Sequence, residues 1–311
     1  MTDKQRQAAR NFILGTRASP LALWQSAHVA QALCSAHGWP ESRIRLDKII
    51  TEGDKRIDTT LSEIGGKGLF TEELEAGLRA GALDLAVHSL KDLPTAMPVG
   101  LVLGAILPRA AAGDVLVAQD GQYYASLAAL PKGAKIGTAS LRRAAQILHH
   151  RPDCTIAPLR GNVGTRLKKL TDEGFDATIL AAAGLDRLQL ELGEAALLSA
   201  DEVLPAAGQG ALAVQCRADD SAMRGFLAAL HCADTFDCIS AERAFLAALD
   251  GSCRTPIAAF ATLDGDALTL KGRLLSDDGT RMAEGTLSGA RATAVSIGEA
   301  LAAQLAEEMR A

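Results

Sequence analysis

Asp92 stands beside Lys91, where the apolar run LAVHSL ends shortly before Pro94. An acid at the carboxyl end of a buried strand lies where α/β proteins bind ligands. A carboxylate there is suited to act as a general acid and then as the counter-ion of a developing cation. The alternative is a turn aspartate that only caps the strand. A hydrolase triad with His88 and Ser89 is rejected, because residues so close in sequence rarely converge and no G-x-S-x-G elbow is present.

Arginines recur at three predicted strand-to-helix junctions. They are Arg17, Arg142, Arg143, Arg160 and Arg166. A helix N-terminus carries about half a positive charge, so arginine there is unfavourable by a few tenths to about 1 kcal/mol. A bound anion reverses that sign, and guanidinium matches carboxylate or phosphate with a two-pronged contact. A solvated surface arginine remains the alternative at any single junction, but the three together favour a cleft for a ligand with several carboxylates.

Two loops have unusual composition. Cys253 lies in DGSCRTPIA beside Arg254. A neighbouring cation lowers the pKa of a thiol, so a reactive or covalently modified sulfur competes with an inert loop cysteine. The second loop, GGKGLF (65–70), is either a mobile lid in which Phe70 offers an apolar face or a plain flexible turn. It lacks the spacing of a Walker A loop.

The composition excludes several classes of protein. The net charge of −5 provides no global field for nucleic acid or membrane, and 4% aromatic residues are too few for base-stacking platforms. The N-terminal residues lack the apolar core of a signal peptide, which makes a cytoplasmic protein the expectation. Six cysteines include no C-x-x-C pair, so no metal site is predicted and most thiols are expected to be buried.

Short β-like runs alternate with amphipathic helical runs from residue 12 onward. A helix is predicted after Ser19 as N-cap, with Pro20 at its first position and Gly38 beyond its end. The alternation predicts parallel sheets with helices on both faces. IGTASLRRAAQIL echoes ILGTRASPLALWQ, which indicates equivalent joints in two similar α/β units. A third α+β unit is predicted from about residue 232, with hairpins at DGDA and DDG and a final helix.

Two segments rich in Pro, Gly and Ala, 106–114 and 204–214, are typical of linkers. A double crossing predicts a hinge between two units with a ligand cleft between them. The expected domains are residues 1–108 with 208–230, residues 109–207, and residues 231–311.

Eight stretches in order along nearly the whole chain carry a family resemblance. They are GTRASPLALWQ, GGKGLFTEELE, DLAVHSLKDLPT, GTASLRRAAQ, LRGNVGTRL, ILAAAGLDRL, LPAAGQGALAVQCR and DGSCRTPIA. With them the chain resembles the porphobilinogen deaminase (hydroxymethylbilane synthase) family. The resemblance implies two α/β domains like a type II periplasmic binding protein, joined by a hinge, and a small C-terminal α+β domain.

The resemblance also implies a reaction and its residues. Four porphobilinogen molecules are joined head to tail into hydroxymethylbilane, and four ammonia molecules leave. A dipyrromethane cofactor would be held by a thioether to Cys253, and Asp92 would be the catalytic acid. The implied cofactor-binding residues are Ser89, Lys91, Asp92, Ser140, Arg142, Arg143 and Arg187. The implied substrate-binding residues are Arg17, Ser19, Phe70, Arg160 and Arg166.

One departure from the family pattern concerns the predicted lid. Glu52 stands where family members often have a basic or neutral residue. A non-catalytic small-anion sensor with a binding-protein fold is the alternative function, but it gives no role to Cys253 or to the third unit. We expect a monomer whose partner is the small-molecule substrate, with no nucleic-acid or membrane partner.

Overall fold

The structure, a computed structural model, describes residues 11–51, 71–119, 122–190, 195–251 and 255–311. Its strands are β1 (Phe12–Arg17), β2 (Ile44–Ile49), β3 (Leu85–Ser89), β4 (Leu101–Ile106), β5 (Asp114–Ala118), β6 (Lys135–Gly137), β7 (Thr155–Ala157), β8 (Ala177–Ala181), β9 (Ala196–Leu197), β10 (Leu212–Arg217), β11 (Ile257–Asp264), β12 (Ala267–Leu275) and β13 (Met282–Ala290). Its α-helices are α1 (Pro20–His37), α2 (Glu72–Arg79), α3 (Leu141–His150), α4 (Val163–Asp172), α5 (Ala182–Leu188), α6 (Ser221–Leu227), α7 (Ala233–Ala248) and α8 (Ala294–Arg310). None of the helices in these ranges is both long and apolar enough to cross a bilayer.

Two five-stranded sheets have the same architecture. The first has the order β2-β1-β3-β10-β4 and the second β7-β6-β8-β5-β9. In each, the first three strands are parallel, and the fourth runs antiparallel to its neighbours. The matching orders agree with the repeat indicated by the two similar sequence segments. They also confirm two α/β units.

The parallel sheet predicted from the N-terminal alternation is present in β1, β2 and β3, but one strand of each five-stranded sheet runs the other way. Strand β10 returns from the second sheet and therefore enters the first sheet against the direction of β3 and β4. Strand β5 likewise crosses from the first sheet and runs against β8 and β9. Both reversed strands follow from the two chain crossings. An apolar buried strand has the same composition in either direction, so the sequence pattern carries no sign of the reversal.

Helix α1 confirms the predicted capping. The Ser19 side chain accepts a hydrogen bond from the N–H of Ala22 at 3.3 Å, and Pro20 is the first helical residue. Gly38 ends the helix at φ 62°, a left-handed conformation in which a side chain would be strained. The buried Val29 and Leu33 pack this helix against the first sheet. The Ser19 cap therefore fixes the chain directly after Arg17, the last residue of β1.

A third sheet is antiparallel in the order β11-β12-β13 and packs against α7 and α8. Gly265 and Gly279 have positive φ values in its two hairpin turns, as the DGDA and DDG signals predict. Phe245 of α7 and Leu301 of α8 are fully buried against the sheet. The expected small C-terminal α+β unit is confirmed.

The two chain crossings lie side by side. The N–H of Leu107 donates to the carbonyl of Leu212 at 3.1 Å, and the N–H of Ala110 donates to the carbonyl of Gly210 at 3.2 Å. Gly210 adopts φ 89°, and a Cβ there would lie 2.5 Å from the Ala110 carbonyl oxygen. Glycine is therefore required where the two crossings approach most closely.

The third unit is attached to both crossings through one buried carboxylate. Glu242 of α7 accepts from Arg109 of the first crossing at 2.5 and 3.2 Å and from the N–H of Gly208 of the second at 2.7 Å. It also accepts from the N–H of Ala261 in β11 at 2.8 Å. The guanidinium of Arg109 lies 4.8 Å from the ring centre of Phe260. The hinge and the third unit thus share a single ion-pair network.

Candidate active site

A cavity of about 450 Å³ lies between the first two units, next to the crossings. Its described lining contains five arginines and one lysine, which are Arg17, Arg143, Arg160, Arg166, Arg187 and Lys91. Asp92 is the carboxylate among the described lining residues, and Ser19 and Ser89 also line the cavity. The structure therefore brings residues from six separate segments of the chain around one acid. An excess of cations over carboxylates is suited to a ligand with several negative charges.

The first unit positions the acid at the end of a buried strand. Lys91 and Asp92 belong to a short 3₁₀ turn that follows β3. The N–H of Leu90 donates to the carbonyl of Ala211 at 3.0 Å, which joins this turn to the second crossing. Ser89 is fixed by Gln25 of α1, whose Nε2 donates to the Ser89 hydroxyl at 2.9 Å.

The second unit supplies arginines from helix termini and one loop. Arg143 lies in the first turn of α3, and Arg160 precedes α4. Arg166 of α4 donates from Nε to the carbonyl of Gly161 at 2.8 Å. Arg187, in the last turn of α5, donates to the carbonyl of Gly210 at 2.7 Å. Backbone carbonyls hold both of these guanidiniums, so their charge stays available to a ligand.

Two buried N–H groups of the cavity arginines have no hydrogen-bond partner among the described residues. They are Nε of Arg143 and Nη1 of Arg160. Buried donors in native proteins are almost always paired, by protein, water or ligand. Each N–H can donate to a carboxylate oxygen. This observation fits a ligand with several carboxylates in the cavity, whose oxygens would satisfy both donors.

The charges of the cavity also perturb one another. Burial lowers the pKa of Lys91 to about 8, Arg143 adds to this shift, and Asp92 opposes it. Burial, followed by the charge of Arg143, lowers the pKa of Arg166 to about 10, again against the effect of Asp92. Cations that lower each other's pKa values repel one another. An anion in the cavity would relieve that repulsion.

A buried carboxylate that the sequence interpretation missed organises the second unit's side of the site. Asp114, the first residue of β5, is fully buried. It accepts from Arg142 at 2.7 Å and from Arg143 at 2.6 Å. Burial alone would raise the pKa of Asp114, but the two arginines hold it well below its usual range. Its signal in the sequence was an acid opening an apolar strand, DVLVA.

Arg142 and Ser140 are not among the described residues that line the cavity. The guanidinium of Arg142 donates to the Leu204 carbonyl at 2.6 Å and to Asp114, while the Ser140 hydroxyl accepts from the N–H of Arg143 at 3.4 Å. In this structure both residues make contacts within the protein, and their predicted part in binding the cofactor remains a prediction. The other predicted site residues in the described ranges line the cavity. They are Arg17, Ser19, Ser89, Lys91, Asp92, Arg143, Arg160, Arg166 and Arg187.

Gln209, in the glycine-rich second crossing, was also missed. Its Nε2 donates to the Ala112 carbonyl at 2.6 Å and to Asp114 at 2.9 Å. Its Oε1 is left to accept from Lys91 Nζ at 3.3 Å. Gln209 therefore links both crossings to the lysine beside Asp92.

Some predicted residues lie outside the described ranges. They are Cys253, Phe70 and Glu52, together with the GGKGLF segment. Their predicted roles remain predictions.

Comparisons with known proteins bear on the whole chain. The family model "Porphobilinogen deaminase, dipyromethane cofactor binding domain" matches residues 12–225, and "Porphobilinogen deaminase, C-terminal domain" matches residues 236–307. The porphobilinogen deaminase of Syntrophotalea carbinolica is 49% identical over 298 residues, covering 96% of this chain and 92% of the relative. That of Xanthomonas euvesicatoria pv. vesicatoria is 48% identical over 304 residues, covering 95% and 98%.

Two solved structures with a weak likeness to this chain are both described as periplasmic. The Bordetella pertussis BvgS periplasmic VFT2 domain has a TM-score of 0.40 at 15% identity, covering 74% of this chain and 91% of that one. The aliphatic sulphonate binding protein SsuA from Escherichia coli has a TM-score of 0.39 at 15% identity, covering 78% and 75%. The family models and the close relatives, which extend over nearly the full chain, show that this chain belongs to the porphobilinogen deaminase family.

Proposed function

We propose that this chain is the transferase that joins four porphobilinogen molecules head to tail into hydroxymethylbilane. Four ammonia molecules leave, and one water supplies the terminal hydroxyl. The observation that carries this proposal is the cavity whose described lining places six cationic side chains around one carboxylate. Each porphobilinogen unit brings two carboxylates, so a lengthening chain accumulates negative charge. The protein's own net charge is −5, so compensation has to come from local arginines. The relatives are named as deaminases, and nothing favours the sensor alternative.

The cofactor proposed for this site is dipyrromethane, held by a thioether to Cys253. The residues proposed to hold it are Ser89, Lys91, Asp92, Ser140, Arg142, Arg143 and Arg187. The partnerless N–H of Arg143 supports this assignment, since a carboxylate would satisfy it. When bound, the group supplies the pyrrole carbon to which the first substrate unit is joined.

The substrate's acetate and propionate would bind to Arg17, Ser19, Arg160 and Arg166, and Phe70 would contact the pyrrole ring. Of these, Arg160 has a buried N–H without a partner among the described residues. Bidentate guanidinium contacts would hold each carboxylate in one orientation. Orienting the reacting carbon in this way contributes to rate because it replaces a bimolecular encounter.

Asp92 is proposed to do the proton and charge chemistry. Its carboxylate would hold the proton that passes to the leaving amine of porphobilinogen. It would then accept a hydrogen bond from the pyrrole N–H while the ring is cationic. Asp92 lies in the turn after β3, among arginines that would bind the substituent carboxylates. The described lining of the cavity contains no second carboxylate that would compete with Asp92 for the cationic ring.

The proposed domains are residues 1–108 with 208–230, residues 109–207, and residues 231–311. Two adjacent crossings support a hinge motion that would make room for successive substrate units.

We also propose a cytoplasmic monomer with no nucleic-acid or membrane partner. The five described cysteines are free thiols, which supports a reducing compartment. Light scattering of the purified protein would test the monomer.

Intact mass spectrometry tests the proposed function, combined with staining by Ehrlich's aldehyde. Purified protein is expected to carry extra mass equal to two pyrrole units and to stain. Cys253→Ser should lack both while remaining folded. An unmodified wild-type protein that folds normally would contradict the proposal and favour a binding protein without catalysis.

A further inference from the structure

A helix of the third unit contacts the segment that follows Asp92. Arg243 of α7 donates from Nη2 to the carbonyl of Pro94 at 2.7 Å and to that of Thr95 at 2.9 Å. Its Nη1 lies 3.4 Å from the carbonyl oxygen of Leu93. One guanidinium thus contacts three consecutive carbonyls that directly follow Asp92.

The chain segment held by Arg243 has few other anchors. The N–H of Leu93 donates to the Leu90 carbonyl at 3.1 Å, and the next strand begins only at Leu101. Pro94 has no N–H to donate. In the described part of the chain, no backbone N–H donates to the carbonyls of Leu93, Pro94 or Thr95. Their hydrogen bonds come from the arginine.

The arginine has no counter-ion among the described residues. It is absent from every ion pair within 4.0 Å in those ranges, and burial lowers its pKa. Burying an uncompensated charge is costly, and the neutral carbonyl dipoles recover only part of that cost. The planar guanidinium of arginine can, however, donate several hydrogen bonds at once to three adjacent carbonyls. Lysine carries only a point charge and cannot replace this geometry.

The same helix also packs beneath the turn. Ile239, one helical turn before Arg243, lies in an apolar cluster with Leu90 and Leu93. These two leucines flank Lys91 and Asp92 in sequence. Helix α7 therefore fixes the turn by packing on one side and by hydrogen bonds on the other.

We propose that Arg243 is a positioning residue for Asp92, which it holds in the cavity by binding the carbonyls of the segment that follows. The proposal rests on the catalytic role proposed above for Asp92. It makes the third unit a part of the catalytic apparatus, in addition to its role in carrying Cys253. Removing the guanidinium would let the segment shift and move the acid away from the substrate ring.

The test uses the cofactor-loaded protein, with loading checked by intact mass. Arg243→Lys and Arg243→Ala should each lower kcat by about 10- to 100-fold, because a displacement near 1 Å is worth about 100-fold. KM should change by less than about 2-fold, since the carboxylate-binding arginines are untouched. Arg224→Ala is the matched control. Its guanidinium also donates to a backbone carbonyl, that of Ala218 at 3.2 Å, but at an exposed site, and its kcat should stay at the wild-type value.

Chemical rescue separates positioning from general stability. Arg243 lines an open groove of about 530 Å³, which gives ethylguanidinium access to the space left by Arg243→Ala. Low millimolar ethylguanidinium should restore kcat of Arg243→Ala at least about 5-fold and leave the Arg224→Ala and wild-type proteins unchanged. If cofactor-loaded Arg243→Lys keeps a kcat within about 2-fold of wild type, the proposal is overturned. It is also overturned if the substitutions change only KM and leave kcat unaltered.

Asp92→Asn is measured alongside. Near-normal turnover of loaded Asp92→Asn would remove the proposed role of Asp92, and the positioning proposal with it. Loss of turnover in Asp92→Asn together with wild-type kcat in both Arg243 variants would overturn the positioning proposal alone.

Discussion

Replacing Asp114 by Asn removes one negative charge buried between two arginines. The carboxylate accepts from Arg142 at 2.7 Å, from Arg143 at 2.6 Å and from Gln209 at 2.9 Å. Asparagine has nearly the same shape, but its amide N–H₂ would face a guanidinium that has lost its counter-ion. We expect a large loss of stability together with misplacement of Arg143 in the cavity.

The size of this loss follows from the burial of the pair. Removing one partner of a buried ion pair costs about 3–5 kcal/mol. Unfolding entropy is about 2.1 cal/mol/K per residue, so for the 311 residues of this chain Tm should fall by about 5–8 °C in a cooperative transition. The Asp114→Asn protein should also bind less cofactor, because Arg143 loses its support.

The pH dependence has a definite sign. Arg142 and Arg143 hold the pKa of Asp114 well below its usual range, against the effect of burial. A carboxyl group with a lowered pKa contributes stability above the unfolded pKa, about 3.9, and this contribution is lost as the pH falls toward the folded value. The Tm difference between wild type and Asp114→Asn should therefore be constant from about pH 5 to 8 and shrink below about pH 4.

Differential scanning calorimetry is the assay, and Asp201→Asn is the control. Asp201 is 88% exposed and pairs with Lys271 at 2.8 Å. Exposed pairs contribute at most about 1 kcal/mol, so Tm of the control should fall by less than about 2 °C. A Tm loss in Asp114→Asn no larger than that in Asp201→Asn, or a Tm deficit of Asp114→Asn that grows at acidic pH, would contradict the predicted cost of the buried charge.

Three further predictions follow from the site and the hinge. In cofactor-free Cys253→Ser protein, Lys91 should titrate near pH 8 and lose its charge above that pH, because burial lowers its pKa. NMR of the lysine Cε carbons measures this titration, and a midpoint above pH 10 would contradict the effect of burial. Glu242→Gln leaves Arg109 without its carboxylate and should lower Tm in calorimetry by about 5–8 °C; a change below about 2 °C would show that the pair contributes little. Arg160→Leu removes a donor that has no partner among the described residues, so KM should rise at least about 10-fold in steady-state assays with Tm nearly unchanged, and an unaltered KM excludes it from the substrate site.

Local signals in the sequence predicted local structure well. The cap residues Ser19 and Gly38 set the bounds of α1, because capping depends on residues within one turn of the helix end. The arginine junctions predicted a shared cavity, because the carboxyl ends of parallel strands meet at one edge of a sheet. Arg17 and Arg143, at equivalent joints of the two sheets, both line that cavity.

Long-range features were not predictable in the same way. The direction of β5 and β10 depends on where the chain crosses between sheets, and hydrophobic pattern does not encode direction. The pairing of Asp114 with Arg142 spans 28 residues and depends on how β5 packs against α3. Arg142 and Arg143 are adjacent and alike in sequence. Only the fold shows that both pair with Asp114, and that Arg142 also donates to the Leu204 carbonyl while Arg143 lines the cavity.

The central claim is that cations around Asp92 neutralise a polyanionic chain while Asp92 stabilises a cationic ring. A crystal structure of the cofactor-loaded protein with substrate bound tests it most directly. We predict ligand carboxylate oxygens within about 3.5 Å of Arg143 Nε and Arg160 Nη1, and Asp92 within the same distance of a pyrrole N–H. Ligand carboxylates bound elsewhere, with those two N–H groups still unpaired and Asp92 remote from the rings, would contradict the account.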